Sequence, residues 1–473
     1  MSDLHELTMA EQLHALRTRE VTSADLTEHY LRRIDSHEEL GAFVTVTADL
    51  AREEAARADA RRERGEDAPL LGLPLGIKDL HATAGVRTTY GCAPLKDTVP
   101  AADSWTVGLL RGAGGVLVGK TNAPEFGPTC YTENDVTDRP AVTPYDLTRY
   151  ASGSSGGAAT AVAAGLLPVG HASDGAGSIR TPAATCHLVG FKPSKGLVSP
   201  APQSSFMAAG IEGPIARTVE DAALFLDVVA HPAPGDLYGW RPERPLVDAL
   251  AQTPERLTIG LWTDTGIDGV DPHPESVRAV VRTAALLREL GHEVREVALP
   301  ARCDEATTHA LRSWFVSNVG ATVPTLVPAD QHHLLRPYTQ HLVAQCAAMT
   351  AGELVLAQAA LARYASTFLA VFADLDAVLT PTTNGPPVPV GHYFTEGVEH
   401  EADRMLAWSC YTPWVNVAGL PAVSLPSHLD ADGLPHAVHL VGRPRHDAQL
   451  LSLAAQLERA QLWDAVHPPS WES

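Results

Sequence analysis

Apolar residues recur every three or four positions in several stretches of the chain, and this spacing predicts amphipathic helices. Two of these stretches, MAEQLHALR and SADLTEHYLRRI, lie within residues 1–65, where Ser23 is the predicted N-cap of the second helix. Residues 217–230 repeat the pattern, and so does VRAVVRTAALLREL, which is expected to end at Gly291. The helices within residues 1–65 have the character of packing elements.

Short apolar runs bounded by glycine- and serine-rich turns predict buried strands. From Leu71 to about Gly196 such runs, LPLGI and GVLVG among them, alternate with turns and with an alanine-rich helical run. Further along the chain, RLTIGLW, the helix ending at Gly291 and HEVREVAL make a β-α-β unit. Three late strands and a closing helix are expected at 377–381, 422–426, 436–442 and 447–459. This alternation indicates the α/β class.

Residues 304–375 interrupt the strands with helical sequence that is rich in alanine and leucine. We expect these helices to form one wall of a substrate channel. No linker, internal repeat or low-complexity tract divides the chain. The expected organisation is therefore a single domain over residues 1–473, with residues 66–230 carrying the motifs described below.

Composition and charge narrow the class of protein. Of the 473 residues, 45% are hydrophobic and 19% are charged, which is enough apolar material for a large core. The net charge of -21 makes a nucleic acid or an anionic membrane an unfavourable partner. Six scattered cysteines contain no CxxC pair, so neither structural zinc nor a redox dithiol is predicted. No signal-like run and no apolar stretch of ~20 residues is found, and we expect a cytoplasmic protein with reduced thiols.

Lysine is rare in this chain. Only five of the 35 basic residues are lysines, namely Lys78, Lys96, Lys120, Lys192 and Lys195. Arginine stays protonated at any relevant pH, whereas a buried lysine can lose its proton. Each lysine is therefore a candidate for a role that needs an uncharged amine, with chance retention as the alternative.

One motif match suggests a nucleotide site. Gly114, Gly119, Lys120 and Thr121 satisfy the phosphate-loop pattern GxxxxGK(S/T). The intervening Gly-Val-Leu-Val favours a buried strand over a loop that cradles phosphate. We therefore interpret Lys120 as a structural residue at the end of a strand.

Two other patterns suggest hydrolases that use histidine. Residues 153–157 satisfy GxSxG, the nucleophile elbow of α/β-hydrolases, with Ser155 as the nucleophile. That elbow requires an apolar strand directly before the turn, and the preceding VTPYDLTRYA is typical of a loop. A Ser-His-Asp triad that uses His171 or His187 with Asp174 is a further alternative, because such triads are defined by geometry.

Three segments together supply a different catalytic chemistry. Lys78 follows the apolar segment GLPLGI, where burial lowers the pKa of an amine below its usual value of about 10.4. SGSSGG at 152–157 precedes an alanine-rich run and places hydroxyls at a helix N-terminus. In SDGAGSIRTP at 173–182, small residues before Ser178 let a substrate carbonyl approach main-chain N–H groups. Arg180 in this segment is interpreted as a scaffold cation.

On these motifs the chain resembles the amidase signature enzymes. The family's GxxxKD lysine corresponds to Lys78, its GGSSGG loop to residues 152–157, and its TDxGGSIRxPA block to residues 173–183. Five further segments extend the similarity along most of the chain. They are KTNAPEFG at residue 120, GFKPSKGLVS at 190, GPIARTVEDAA at 213, NVAGLPAVSLP at 416 and HLVGRPRHDAQLL at 439. The resemblance implies an α/β/α sandwich with a large mixed, mostly parallel central sheet.

The resemblance also implies a mechanism. Ser178 would be the nucleophile, Ser154, preceded by a cis peptide bond, would relay the proton, and Lys78 would be the base. Neither a metal nor an organic cofactor is implied. The main-chain oxyanion hole would comprise Gly175, Ala176, Gly177 and Ser178. The residues expected to give structural support are Ser155, Asp174 and Arg180.

Two positions depart from the family pattern. Ser152 replaces the first glycine of the serine loop, and Ala176 replaces a glycine of the oxyanion block. Both residues are small, but the alanine methyl group would lie close to the substrate. We expect retained activity with a narrowed or shifted choice of substrate.

The expected activity is hydrolysis of a small or medium amide, linear or cyclic, through a serine acyl-enzyme. An amidotransferase subunit that acts with partner proteins and an acyltransferase to an amine acceptor remain alternatives. The only expected partner is a small-molecule amide, with no nucleic acid and no membrane, and a homodimer is left open. The predicted substrate-binding residues are Phe126, Gly127, Thr129, Tyr131 and Trp314.

Overall fold

The computed structural model of the protein describes residues 3–201, 210–252 and 254–472. Its strands, in chain order, are β1 (Phe43–Val46), β2 (Pro74–Lys78), β3 (Val116–Thr121), β4 (Val142–Thr143), β5 (Asp146–Tyr150), β6 (Val169–Asp174), β7 (Val189–Lys192), β8 (Ile211–Ala216), β9 (Thr258–Leu261), β10 (Glu293–Glu296), β11 (Ala377–Pro381), β12 (Ala422–Leu429) and β13 (Pro435–Gly442).

Its α-helices, in chain order, are α1 (Met9–Thr18), α2 (Ser23–Ser36), α3 (Ala48–Glu63), α4 (Trp105–Gly112), α5 (Gly156–Ala163), α6 (Arg180–Thr185), α7 (Val219–Val229), α8 (Pro274–Glu289), α9 (Glu305–Leu326), α10 (Pro337–Ala348), α11 (Ala351–Ala370), α12 (Val398–Ser409), α13 (Pro413–Ala418) and α14 (Asp447–Gln461). The helices predicted at 217–230 and 447–459 and the three late strands are confirmed within two or three residues.

The main sheet has eleven strands within the described residues, in the order β1-β3-β2-β6-β8-β7-β12-β13-β11-β9-β10. Two groups of neighbouring strands, β3-β2-β6 and β11-β9-β10, pair parallel. The prediction of a mostly parallel sheet holds for these two groups. It does not hold for β8, β7, β12 and β13 between them, whose pairings are antiparallel, nor for β1 at the edge.

Hydrophobic cores lie on both faces of this sheet. Alternate side chains of a strand point to opposite faces, and in β3 Leu117 packs into one cluster whereas Val116 and Val118 pack into another. The first cluster includes residues of α1, α4, α7, α8 and α14, and the second includes residues of α2, α3, α5 and α6. The predicted α/β/α sandwich is therefore confirmed.

The N-terminal region differs in detail from the prediction. Thr22, not Ser23, is the N-cap of α2, because its side chain accepts a hydrogen bond from the Asp25 amide. Ser23 is the first helical residue, and its hydroxyl donates to the Gly72 carbonyl at 2.8 Å. A third helix, α3, follows the two predicted ones. Its buried face consists of alanines only, which gives a weak periodic signal.

Residues 304–375 form the helices α9, α10 and α11, as predicted. Helix α11 packs on α9, and its residues Ala357 and Leu361 share a hydrophobic cluster with Leu311 and Trp314 of α9. Among the described residues, the segment Ala351–Ala373 is long and apolar enough to cross a membrane, with a mean hydropathy of 1.5. Length and composition alone are weak evidence for a membrane span, since packed helices of other proteins satisfy the same criteria.

Candidate active site

Lys78 lies at the end of β2, a strand whose five residues are all buried between β3 and β6. The amine Nζ donates to Ser154 Oγ and to Ser155 Oγ, each at 2.8 Å. It also lies 3.0 Å from Ser173 Oγ and 3.2 Å from the Ser173 carbonyl oxygen. These hydrogen-bond partners are hydroxyl and carbonyl oxygens, and none of them is a carboxylate.

The protonation of Lys78 follows from this burial. Its side chain is 0% exposed, and burial lowers the pKa of Lys78 from 10.5 to about 7. The negative charges of Asp174 and Glu212 oppose this shift but do not cancel it. At neutral pH a large fraction of the amine is therefore uncharged and can accept a proton.

The loop at 152–157 brings Ser154 against Lys78 because its glycines allow close packing of the backbone. The peptide bond between Gly153 and Ser154 is cis. A Cβ atom at Gly153 would lie 2.6 Å from the Tyr131 carbonyl oxygen, and one at Gly157 would lie 2.3 Å from the Asn122 amide nitrogen. Any larger side chain at these two positions would push the loop away from its neighbours.

Ser152 has a backbone conformation that favours glycine, with a φ of 61°. Its hydroxyl lies 3.0 Å from the Cys130 carbonyl oxygen and 3.1 Å from Thr181 Oγ1. These two contacts help to stabilise a non-glycine residue at this departure from the family pattern.

Asp174 holds the backbone on both sides of Ser178. Its carboxylate accepts hydrogen bonds from the amides of Gly177 at 2.7 Å and Ile179 at 3.2 Å, and from Arg180 Nε and Nη2, both at 2.9 Å. Burial acts to raise the pKa of Asp174, but the Arg180 guanidinium, together with Lys192 and the hydrogen bond from Asn416, holds that pKa well below its usual range. The buried ion pair therefore anchors the residues that flank Ser178.

This anchoring corrects one part of the predicted oxyanion hole. The Gly177 N–H donates to Asp174, so it cannot also bind a substrate oxygen. The amides of Gly175, Ala176 and Ser178 have no acceptor in the part of the chain that the structure describes. Three of the four predicted amides are thus candidates for an oxyanion site.

Ser178 opens onto a cavity of about 140 Å³. One end of the cavity is formed by the two serine loops, through Gly153, Ala176, Gly177 and Ser178. The rest is lined mainly by apolar and aromatic side chains from α9, α10 and α12, including Leu311, Trp314, Phe315, Leu342, Met405 and Leu406. The charged lining residues Arg312 and Glu399 are exposed. The cavity therefore joins a polar end, formed by the two serine loops, to an apolar chamber.

The predicted substrate-binding residues divide into two groups. Thr129 and Trp314 line the cavity. Phe126, Gly127 and Tyr131 do not, and their assignment is corrected. The Phe126 ring stacks on Tyr90, and the Tyr131 hydroxyl donates to Glu401 at 3.0 Å. Gly127 instead adjoins the serine loop at 152–157, because a Cβ there would lie 3.4 Å from Ser154 Oγ.

The alternatives based on histidine have no matching geometry. Ser155 is fully buried, and its hydroxyl lies 3.2 Å from the Ser173 carbonyl oxygen instead of lining the cavity. His171 is hydrogen-bonded to Glu212 and to the Lys78 amide, not to a serine. Both ring nitrogens of His187 lack a hydrogen-bond partner within the described residues. Neither histidine therefore forms a dyad with a candidate nucleophile.

The apparent phosphate loop is a strand. Val116–Thr121 is β3, with all six residues buried. Lys120 Nζ donates to the His81 carbonyl oxygen at 2.6 Å and to the hydroxyls of Thr83 and Thr88 at 2.8 Å. Lys120 thus ties together the turn that follows β2, which agrees with a structural role.

His81, His171 and Glu212 lie together beneath Lys78, with potential ligand atoms within 4.8 Å of one another. His171 Nδ1 accepts from the Lys78 amide at 3.3 Å, which assigns the proton to Nε2, and Nε2 lies 2.7 Å from Glu212 Oε2. A metal ion would have to displace that proton. The trio is therefore better described as a hydrogen-bonded support for the backbone of Lys78.

Two residues near the site carried no individual signal in the sequence. Asn416 Nδ2 donates to the Asp174 carbonyl oxygen and to Asp174 Oδ1, both at 2.9 Å. The Thr412 hydroxyl donates to the Ala176 carbonyl oxygen at 2.6 Å. Both lie more than 230 residues from their partners along the chain, as the hydrogen bonds connect 174 to 416 and 176 to 412. Only the family segment beginning at residue 416 marked this region as significant.

The chain is similar to known proteins over most of its length. The family model described as Amidase matches residues 25–451. A relative named AmiB2 in Mycobacterium tuberculosis is 38% identical over 481 residues, which cover 99% of this chain and 99% of the relative.

Two solved structures are similar over nearly the whole chain. A 6-aminohexanoate cyclic dimer hydrolase complexed with substrate has a TM-score of 0.91 and 28% sequence identity, covering 99% of this chain and 100% of that one. A bacterial aryl acylamidase of the amidase signature enzymes has a TM-score of 0.89 and 29% identity, covering 98% of each chain. With the family model matching most of its length, this chain belongs to the amidase signature family and is an amidase.

Proposed function

We propose that the enzyme cleaves its amide through a serine acyl-enzyme, with Ser178 as nucleophile, Ser154 as proton relay and Lys78 as base. The observation that carries this proposal is the contact of 2.8 Å between a fully buried amine, with a pKa of about 7, and the Ser154 hydroxyl. An uncharged Lys78 takes a proton from Ser154, which takes one from Ser178 as Ser178 attacks the carbonyl carbon. The same relay then returns a proton to the leaving nitrogen.

The developing negative charge on the carbonyl oxygen requires nearby donors. The candidates for that role are the amides of Gly175, Ala176 and Ser178, which have no acceptor among the described residues. Water then attacks the acyl-enzyme by the reverse route, with Lys78 again drawing the proton through Ser154. No step needs a group beyond these side chains, main-chain amides and water.

We propose that the substrate is an uncharged amide that carries a small or medium apolar group. This follows from the chamber beside Ser178, whose lining from α9 and α12 includes Trp314, Phe315, Met405 and Leu406. Burial of apolar substrate surface there contributes about 25 cal/mol per Å². The charged residues of the described lining, Arg312 and Glu399, are exposed, so a fixed charge on a substrate would lose hydration in the chamber without gaining a buried charged partner there.

The test is a panel of amides assayed on the purified chain alone: aryl anilides, aliphatic amides, cyclic dipeptides and a charged amide of matched size. Apolar amides are expected to be hydrolysed and the charged member to be disfavoured. Activity only in the presence of a second protein would favour the amidotransferase alternative. Diversion of product by an added amine, at an unchanged rate of acyl-enzyme formation, would favour the acyltransferase alternative.

A fluorophosphonate probe tests the nucleophile directly. Labelling is expected at Ser178 and should be lost in Ser178→Ala. Ser155→Ala serves as the matched control, because Ser155 also contacts Lys78 but does not line the cavity. Labelling that persists in Ser178→Ala and disappears in Ser155→Ala would overturn the assignment.

A further inference from the structure

The main chain between Asp174 and Thr181 contains two peptide groups that are held in different ways. The carbonyl oxygen of Gly177 accepts from the Thr181 amide at 2.7 Å and lies 3.1 Å from Thr181 Oγ1. This contact is local, since Thr181 lies in the first turn of α6. A trans peptide directs its N–H opposite to its C=O, so the Ser178 N–H points away from Thr181.

The peptide group between Ala176 and Gly177 is held from two sides. Its N–H donates to Asp174 Oδ1 at 2.7 Å, and its carbonyl oxygen accepts from Thr412 Oγ1 at 2.6 Å. The contact from Thr412 comes from a distant part of the chain, at the junction of α12 and α13. Without it, the carbonyl end of this peptide group would keep no hydrogen-bond partner in the described residues.

Thr412 is itself firmly placed. Its side chain is fully buried, its amide donates to the Ser409 carbonyl oxygen at 3.2 Å, and its own carbonyl accepts from Arg180 Nη1 at 3.2 Å. Oγ1 also lies 3.1 Å from the Ser409 carbonyl oxygen, but the contact of 2.6 Å with the Ala176 carbonyl oxygen is the shorter one and takes the hydroxyl proton. A Cβ atom at Gly177 would lie 2.4 Å from Thr412 Oγ1. The hydroxyl therefore packs directly against the backbone that it supports, and glycine at 177 makes this approach possible.

The glycines at 175 and 177 put few steric limits on this backbone once the contact with Thr412 is lost. The φ of Gly177 is 137°, a conformation that other residues rarely adopt, and the preceding Gly175 has open space beside it. A peptide group anchored at one end only can tilt about that anchor. Such a tilt would redirect the Ala176 and Ser178 amides on either side of it, and misplacement of about 1 Å can cost ~10²-fold in rate.

We propose that Thr412 is a positioning residue, which fixes the Ala176–Gly177 peptide group so that the flanking amides point at the oxygen on which negative charge develops. This inference rests on the proposed function, in which Ser178 attacks a carbonyl carbon. Thr412 does not line the cavity beside Ser178, and in this proposal it acts through the backbone of residues 176 and 177.

The experiment compares Thr412→Val, which keeps the branched shape and removes the hydroxyl, with Thr412→Ser, which keeps the hydroxyl. Thr412→Val is expected to lower kcat about 10- to 100-fold with little change in KM, since the loss falls on the transition state. Thr412→Ser is expected to keep kcat within about 3-fold, because its hydroxyl can still donate. Thr47→Val is the control, because that hydroxyl also donates to a main-chain carbonyl, that of Leu117 at 2.8 Å, away from the site.

A second readout separates positioning from general loss of structure. A trifluoromethyl ketone analogue of the best amide forms an oxyanion on Ser178, whereas the corresponding alcohol cannot. Thr412→Val should weaken the ketone by the same factor as kcat/KM and leave the affinity for the alcohol unchanged. Equal ketone affinity in the original enzyme and Thr412→Val, or equal loss for ketone and alcohol, would overturn the inference.

The outcomes also distinguish this inference from the proposed function. If Ser178 is not the nucleophile, the ketone will bind Ser178→Ala as tightly as the original enzyme. If only the role of Thr412 is wrong, Ser178→Ala will lose the ketone whereas Thr412→Val will keep it. Should Thr412→Val fail to fold, Thr412→Cys is tested instead, because its thiol is a weaker donor of similar size. Its affinity for the ketone is expected to be lower than that of the original enzyme and of Thr412→Ser, but still measurable.

Discussion

Lys78 and Lys120 are two buried lysines on neighbouring strands, and their surroundings give them different capacities. In the parallel pairing of β2 with β3, Ile77 lies opposite Lys120 and Lys78 opposite Thr121. Both side chains are 0% exposed, and burial lowers both pKa values, to about 7 for Lys78 and about 8 for Lys120. Burial alone therefore does not distinguish them.

The partners of the two amines do distinguish them. Lys120 Nζ lies 4.0 Å from the buried carboxylate of Asp79, which favours the charged amine, and its other partners belong to the turn after β2. The partners of Lys78 are serine oxygens. One of those serines, Ser154, directly follows Gly153, which lines the cavity. Lys120 also donates to two threonine hydroxyls, so the difference between the two amines is the carboxylate of Asp79 that faces Lys120. This difference supports the proposal that Lys78 acts as a base and Lys120 as a structural cation.

Removing each lysine should separate the two roles most strongly. Lys78→Ala is expected to lower kcat/KM at pH 7 by about 10²- to 10⁴-fold, because it removes the proposed general base. The rate of fluorophosphonate labelling should fall in parallel. In Lys120→Met, labelling per folded molecule should stay within about 10-fold of the original enzyme. Equal losses in the two variants would remove the distinction between the lysines.

The two serines that accept from Lys78 provide a finer comparison. Ser154→Ala is expected to lower kcat by about 10²-fold or more, because the proton path to Ser178 is interrupted. Ser155→Ala should lower kcat by no more than about 10-fold, the value of one lost hydrogen bond. Steady-state kinetics on the best amide of the panel would measure both. A larger loss for Ser155→Ala would mean that the relay runs through Ser155.

The structural role of Lys120 should appear in stability. Lys120→Met leaves the Asp79 carboxylate buried without its cation and is expected to reduce the free energy of unfolding by about 3–5 kcal/mol. Denaturant unfolding followed by tryptophan fluorescence measures this change. Addition of Asp79→Asn should recover part of the loss, because the uncompensated charge is removed. No recovery in the double variant would argue against the ion pair as the cause.

The smallest expected effect is a shift in pH dependence. Protonated Lys78 cannot accept a proton, so kcat/KM should rise with pH through an apparent pKa of about 7. Glu212→Gln removes a charge that raises the pKa of Lys78, and the acid limb should move to lower pH.

The other charged or titratable groups around this site are His81, His171, Asp174, Arg180, Lys120 and Lys192. Lys120→Met should not shift the acid limb of the pH profile. If Glu212→Gln does not shift it either, the limb reports the titration of a group other than Lys78.

Much of this architecture could be predicted from local patterns. The three late strands and α14 have clear apolar periodicity and were predicted nearly to the residue. Helix α3 was missed, because its buried Ala51, Ala55 and Ala58 are only weakly hydrophobic. The antiparallel strands in the middle of the sheet were also missed, since the direction of a strand depends on connections that its own residues do not encode.

The candidate site divides in the same way. The motifs around Lys78, Ser154 and Ser178 lie within about one hundred residues of one another, and their sequences are specific to the family. Resemblance to the family could therefore identify these three residues. The lining of the cavity could not be predicted residue by residue, as the error at Phe126 and Tyr131 illustrates. An aromatic residue in a loop can turn toward the cavity or toward the core, and only its packing decides which.

By itself, the amino-acid sequence determined the α/β class, the family and the short segments from which the chemistry is built, because periodicity and motif spacing are local properties of a chain. Tertiary structure alone decided that the Lys78 amine is buried beside serines and that the Gly177 amide donates to Asp174. It also decided that Thr412 donates a hydrogen bond to a loop that is far from it in sequence. These are contacts between distant segments, and their distances and burial arise only when the sheet brings the segments together.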